Sequence, residues 1–462
     1  MIEGSVTFPL GFYVASILLV IGLLVAWNTR KIGTGIPMAA VLGTIALWYF
    51  GDALYNNYEE YALEIGQKYL DAAWTQVALF LGAFIVMVPI AHNVFNKRLL
   101  GDRSEFFALM QRGGIQNEEF QRRLDVAMRL LLGIWAILMF IALLKTNFDF
   151  LGLFAPYISG KAYPWSRGRV GGGLDALLSF ANYIQIMLTA SFGIIAGVAL
   201  NPRTRNLALM LFLISAPFYI FDRARNVMIA TFLPGLLAWV FLKLRSGIFT
   251  KIAILVGAFL IVDVWMKFVI ETRTNQNISQ VVSRIGLSGV LETAESEEAR
   301  HAGLSMFSEL AWINSFIDQG TFAVNYGARY FSEIVNPIPR ALWPDKPYIG
   351  IDYAIARGQK FGGATEEAAG VGATISTGLI GQGVTNFGAF FGVLCSAFLM
   401  ALWVAFLARQ DLKGERMGRM LLFFIGCVLT FNLGRDITLM TLYPVVFGYI
   451  MLVVWTKTRG ET

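Results

Sequence analysis

Residues 8–27 read FPLGFYVASILLVIGLLVAW, a run without one charged side chain. At about 1.5 Å of rise per residue, a helix of this length spans roughly 30 Å, the thickness of a bilayer's hydrocarbon core. A helix satisfies its own backbone hydrogen bonds there, which an open strand or loop cannot do. The residues before the run carry Glu3 and no Lys or Arg, so the basic leader of a cleaved signal peptide is missing and a retained first span is expected. Similar apolar runs recur near 36-55, 74-95, 126-145, 175-200, 207-221, 226-243, 248-267, 385-408, 417-434 and 437-455, about eleven in all. The fold class this predicts is an all-α polytopic membrane protein. Composition agrees: 56% of the 462 residues are hydrophobic and 15% are charged, against about 25% charged in soluble domains.

The net charge of +6 suggests nucleic acid only until its distribution is read. Arg30 and Lys31, Lys97 to Arg123, Arg203 with Arg205, Lys243 to Lys251, Arg409 to Arg419, and Lys457 with Arg459 all fall on one face of the proposed bundle. The positive-inside rule makes that face cytoplasmic, so no nucleic-acid partner is expected. Glu59, Glu60, Glu64 and Asp71 then lie outside, as does the N-terminus, while the C-terminus lies inside. The organisation expected is a bundle of spans over 1-267, with a basic amphipathic cytoplasmic hairpin at 97-125, a large external loop over 268-384, and the last spans with a cytoplasmic tail over 385-462.

The loop exceeds ordinary connection lengths. Its aromatic residues, among them Phe307, Trp312, Phe316, Tyr330 and Trp343, offer surface for folding onto the bundle. Leu304 to Val335 has the pattern of one amphipathic helix, broken by Asn336-Pro337-Ile338-Pro339. Helix is disfavoured at Asn336, Ile338, Trp343 and Lys346, each of which precedes a proline.

Holding an ionisable group at the edge of hydrocarbon costs several kcal/mol unless it is paired or lines a wet cavity, so such groups mark function. At the outer ends of spans the chain offers Asp222, Arg223 and Arg225, the pair Asp263 and Lys267, and Arg435 with Asp436. The loop adds Arg329, Arg340, Lys346 and Arg357, which run against the positive-inside pattern and call for something anionic outside. Diphosphate fits, because the guanidinium fork matches phosphate oxygens bidentately. Simpler readings exist for several: an i, i+4 ion pair for Asp263 and Lys267, snorkelling for Arg340 and Lys346 beside Trp343. Cys395 and Cys427 sit in apolar runs, and His92 and His301 lie apart, so no metal centre or cofactor is expected. Gly381-Gln382-Gly383 lacks the strand and helix context of a nucleotide-binding turn and suits close backbone packing.

The segment Asn336-Pro337-Ile338-Pro339-Arg340-Ala341-Leu342-Trp343-Pro344-Asp345-Lys346-Pro347 resembles the proline-tryptophan stretch in the long periplasmic loop of Wzy-type oligosaccharide repeat-unit polymerases. Thr377-Gly378-Leu379-Ile380-Gly381 followed by Asn386-Phe387-Gly388-Ala389-Phe390-Phe391-Gly392 is similar to that family's return from loop to helix. Asp222-Arg223-Ala224-Arg225-Asn226 resembles its arginine-bearing hairpin, and Leu433-Gly434-Arg435-Asp436 its late Arg-acid pair. The likeness covers mainly residues 215 to 445.

The resemblance implies a metal-independent glycosyltransferase of the GT-C type in the bacterial inner membrane. It would join repeat units carried on undecaprenyl diphosphate, with donor, acceptor and bilayer as partners and a chain-length regulator as a further candidate partner. Asp436 and Asp222 are the candidate catalytic carboxylates. Arg223, Arg225, Arg435 and Arg340 are the candidate diphosphate ligands, and Trp343, Lys346, Arg329 and Arg357 the candidate glycan or loop contacts. Two alternatives stay open: an O-antigen ligase-like transferase of the same superfamily, and a non-enzymatic transporter or flippase of an anionic lipid-linked sugar.

Overall fold

A computed structural model describes residues 7–111, 114–150, 153, 180–220, 225–271, 305–336, 338, 342–347, 351–357, 375–414 and 416–458, and among these there are helices and no strand. The helices are α1 (Leu10–Asn28), α2 (Gly35–Tyr55), α3 (Tyr58–Phe95), α4 (Glu105–Met110), α5 (Glu118–Lys145) and α6 (Phe180–Val198). Then come α7 (Pro202–Ile220), α8 (Arg225–Ala238), α9 (Ile248–Glu271), α10 (Met306–Asp318) and α11 (Ala328–Val335). The last are α12 (Ile351–Ala356), α13 (Leu379–Phe387), α14 (Phe391–Leu412), α15 (Met417–Leu433) and α16 (Leu439–Thr458). A helix occupies every place where an apolar span is expected, and six, at α1, α2, α3, α5, α6 and α14, are long and apolar enough to cross a membrane.

Three local expectations are corrected. The return span does not begin at residue 385: α13 ends at Gly388, whose φ of 79° suits glycine, and α14 starts at Phe391. Residues 304–335 do not form one helix, because Gly320 and Gly327 take φ of 72° and 92° and a turn separates α10 from α11. The Asn325 N–H donates to the Thr385 carbonyl at 3.0 Å, tying that turn to α13. Asn336 precedes a proline and lies just past the end of α11, yet its backbone keeps right-handed helical angles (φ −53°, ψ −38°) rather than extended ones, its N–H donating to the Glu333 carbonyl and its carbonyl accepting from the Lys346 ammonium. Between 97 and 118 the described residues hold the single α-helix α4, whose Phe106 and Leu109 are buried and whose Phe106 ring meets Phe423 and Phe424.

The chain divides into two compact units. One comprises Met1–Asp102, Leu304–Arg409 and Thr430–Thr441; the other comprises Arg103–Gly303, Gln410–Leu429 and Leu442–Thr462.

In the first unit α10 docks on α2 and α3 through rings that interlock: Trp74 lies 4.5 Å from Phe307, 5.0 Å from Phe50 and 4.8 Å from Phe12, centroid to centroid. Aromatic pairs in such offset geometry add about 0.5 to 1.5 kcal/mol each beyond area burial. The docking has a polar lock. Ser305 gives α10 no side-chain cap, and Asp52 of α2 supplies one instead, its Oδ2 accepting from the Phe307 and Ser308 N–H groups at 2.9 Å each. Its Oδ1 accepts from Asn56 and Tyr61. A carboxylate at a helix N-terminus satisfies orphan donors and meets the positive end of the dipole.

In the second unit α6 and α8 approach closely at Gly193 and Gly235, where a Cβ on Gly235 would fall 2.6 Å from the Gly193 carbonyl carbon. Asp125 of α5 accepts from Thr204 and Asn201 at the start of α7.

Candidate functional site

The elements that gather the charged groups are α10, α11, α12, α13 and the turn after α15, all in the first unit. The turn is fixed first. Trp48 Nε1 donates to the Phe431 carbonyl at 2.9 Å, the Leu379 N–H donates to the Gly434 carbonyl at 3.0 Å, and the Gln382 amide bridges both sides of Ile437. Gly434 is needed here, since a Cβ would collide with Thr44 and Trp48. Gly383 likewise faces Gly392 with no room for a Cβ, and a Cβ on Gly381 would meet Ile313, so the glycine pair allows the close packing expected of it.

Arg435 and Asp436 therefore project from a rigid turn, and they diverge. The Arg435 guanidinium donates to Ser376 Oγ at 3.0 Å and lies 5.8 Å from the Trp48 ring, while its buried Nε has no partner. Burial lowers the Arg435 guanidinium from its usual value and Asp436 opposes that. Asp436 receives the Thr377 N–H at 3.2 Å and the Thr377 hydroxyl at 3.0 Å, and the Arg329 guanidinium stands 3.6 Å away. All three act on Oδ1, and among the described residues none bonds Oδ2.

Arg329 is the least satisfied charge in this set. It is 5% exposed, its ion pair to Asp436 is too long for a hydrogen bond, and its Nε and Nη1 have no partner. An unpaired buried charge costs far more than an exposed one. Glu333 follows one helical turn later on the same face of α11. It is also 5% exposed, and its Oε2 has no partner. Burial, then the nearby Asp436 charge, push the Glu333 carboxyl up to about 8, with Arg329 opposing.

A third pair closes the group. Glu309 on α10 accepts from Arg357 at 3.2 Å and from the Tyr353 hydroxyl, and the Arg357 guanidinium lies 4.8 Å from the Trp312 ring. Burial raises the Glu309 carboxyl and Arg357 holds it down. The Tyr353 phenol is raised by burial and by Glu309.

Of the residues expected to act, the structure brings together Asp436 and Arg329, with Arg435 beside them in sequence but turned to Ser376 and Trp48, and Arg357 held by Glu309. Lys346 is turned inward, buried, with its ammonium 2.8 Å from the Asn336 and Ile338 carbonyls. Trp343 rests edge-on against Phe331 at 6.4 Å. Asp222, Arg223 and Arg340 lie outside the described residues, and Arg225 is described only as the first residue of α8. Glu309, Tyr353 and Thr377 were not anticipated. Glu309 had a signal, since it falls on the apolar stripe of Met306, Leu310 and Ile313, where an acid must find a buried partner.

A groove of about 600 Å³ between α1 and α3 is lined by apolar residues such as Val14, Leu18 and Val86 and includes none of these groups. No set of side chains suited to a metal ion occurs among the described residues. In comparisons with known proteins, no family matches the chain, and no curated protein or solved structure does so.

Proposed function

We propose that the chain is a membrane glycosyltransferase that polymerises oligosaccharide repeat units carried on undecaprenyl diphosphate. The observation that carries this reading is Arg329: a buried guanidinium whose Nε and Nη1 have no partner, beside a carboxylate whose contacts among the described residues all fall on one oxygen. A guanidinium held this way is unsatisfied until acceptor oxygens reach it, and a diphosphate supplies them at the spacing of the guanidinium fork. Arg435 adds a second, partly unpartnered guanidinium next in sequence to the same carboxylate.

In the proposed reaction the acceptor's hydroxyl oxygen attacks the donor's anomeric carbon. The bond from that carbon to the diphosphate oxygen breaks, and undecaprenyl diphosphate leaves with the electron pair. Asp436 Oδ2 takes the hydroxyl proton. Charge grows on the diphosphate, so guanidiniums fixed beforehand stabilise the transition state more than the ground state. The turn after α15 and the α11 backbone provide that fixity.

The reading takes the chain as crossing the bacterial inner membrane about eleven times, with residues 268-384 and the N-terminus on the periplasmic side and the C-terminus in the cytoplasm. Removing the gene from its host and profiling the lipid-linked glycans tests the assignment. Loss of long polymer, with single repeat units retained outside, is the expected result. Unattached polymer on lipid would make the chain a ligase, and single units accumulating inside would make it a flippase.

A further inference from the structure

Helix α11 has its polarity inverted. Its buried face carries Arg329, Ser332 and Glu333 with Val335 at its end, while Phe331 and Ile334 on the other face are 51% and 63% exposed. A helix whose outer face meets water has the opposite order, apolar inward and polar outward.

The apolar face extends beyond the helix. Leu342 is 71% exposed, and Trp343 packs edge-on against Phe331. The Lys346 ammonium donates to the Asn336 and Ile338 carbonyls, which holds residue 346 at the end of α11. The helix also touches the approach to a membrane-crossing helix: Tyr330 meets the Phe387 ring at 6.2 Å, and the exposed Phe390 and Phe391 stand at the start of α14, one of the six helices long enough to cross a bilayer.

We infer that α11 lies in the membrane interface with Phe331, Ile334 and Leu342 in lipid hydrocarbon, so that the bilayer is the occupant of this face. Three observations select lipid. The helix buries its charges inward, its Tyr330 touches Phe387 a few residues before the exposed Phe390 and Phe391 at the start of a span, and a tryptophan borders the exposed face, as is common at the membrane–water boundary. In this arrangement the helix separates two media, with acyl chains on one side and the Arg329 and Asp436 group on the other. The inference holds whatever reaction the group serves.

Nitroxide labels at Phe331→Cys, Ile334→Cys and Leu342→Cys, each in a Cys395→Ala, Cys427→Ala background reconstituted in phosphatidylglycerol-containing bilayers, test it by collision with oxygen and with a water-soluble nickel chelate. Ile17→Cys on the outward face of α1 gives the hydrocarbon standard. The expected result is high oxygen and low chelate accessibility at all three positions, matching Ile17→Cys. Strong chelate collision would show a water-facing helix, and exclusion of both reagents would show a face covered by protein, such as a second copy. Either overturns the inference. All three positions are largely exposed, so substitution leaves the core intact, and size-exclusion profiles matching the parent check that each variant is folded.

Discussion

Arg329 on α11 and Asp436 after α15 face each other across 3.6 Å, with the arginine buried and the aspartate nearly so. Asp436 turns away from its neighbour Arg435 and toward two elements of the loop, α11 and the strand-free stretch holding Thr377. The pair is thus a connection between loop and bundle as well as a candidate reaction centre.

The first prediction separates those roles. If Arg329 contacts diphosphate, Arg329→Lys keeps the charge and loses the fork, and each lost charge-assisted contact costs about 1.5 to 3 kcal/mol. That corresponds to roughly ten- to hundred-fold in rate. Polymer formation by equal amounts of folded protein should fall by that factor. Unchanged activity in Arg329→Lys would restrict the residue to a structural role.

The second concerns pH. Glu333 is raised from its usual 4.5 to about 8, so between those values the folded chain binds more protons than the unfolded chain. Stability from this group is therefore full below about pH 4.5 and is lost as pH rises through about 8. Glu333→Gln removes the titration. It should melt like the parent at pH 5 and above it at pH 9, by on the order of a few °C. Thermal melts in detergent at the two values check this, and an equal difference at both would count against a neutral Glu333.

The third concerns the α10 cap. Asp52→Ala leaves the Phe307 and Ser308 N–H groups without their acceptor in a buried place. A buried unsatisfied donor costs about 1 to 3 kcal/mol, so a clear drop in melting temperature is expected, with Asp52→Asn in between because its amide oxygen still accepts. If Asp52→Ala melts with the parent, the docking of α10 rests on its aromatic contacts alone.

The helices were legible because an apolar run of span length has one stable backbone solution in lipid. The positions of Arg435 and Asp436 followed from the same runs, since both come directly after α15. Their partners were not legible. Thr377 and Arg329 reach Asp436 through a loop whose path depends on positive-φ glycines at 320, 327, 378 and 388 and on contacts across the unit. A glycine in sequence announces freedom, and packing decides how it is used. Asp52 could have been noticed as the lone charge in the run 36-55, yet nothing local tells that it caps a helix formed by residues 306–318.

The fourth prediction follows from the glycine contacts. Gly434→Val forces its side chain into Thr44 and Trp48, the residues that anchor the turn. Overpacking of this kind costs about 1 to 3 kcal/mol. Besides the lower melting temperature, the turn carrying Arg435 and Asp436 shifts, so activity should fall further than in an equally destabilised variant of the other unit, such as Gly235→Ala. Equal losses in the two would mean the turn's geometry is unimportant.

The most direct test of the central claim uses purified protein and the host's undecaprenyl-diphosphate-linked repeat unit, with products resolved by length. The parent chain should yield a ladder of polymers without added metal. Asp436→Asn should remain folded and still bind the lipid-linked unit but give no ladder. No ladder from the folded parent chain, or a normal ladder from Asp436→Asn, would contradict the account.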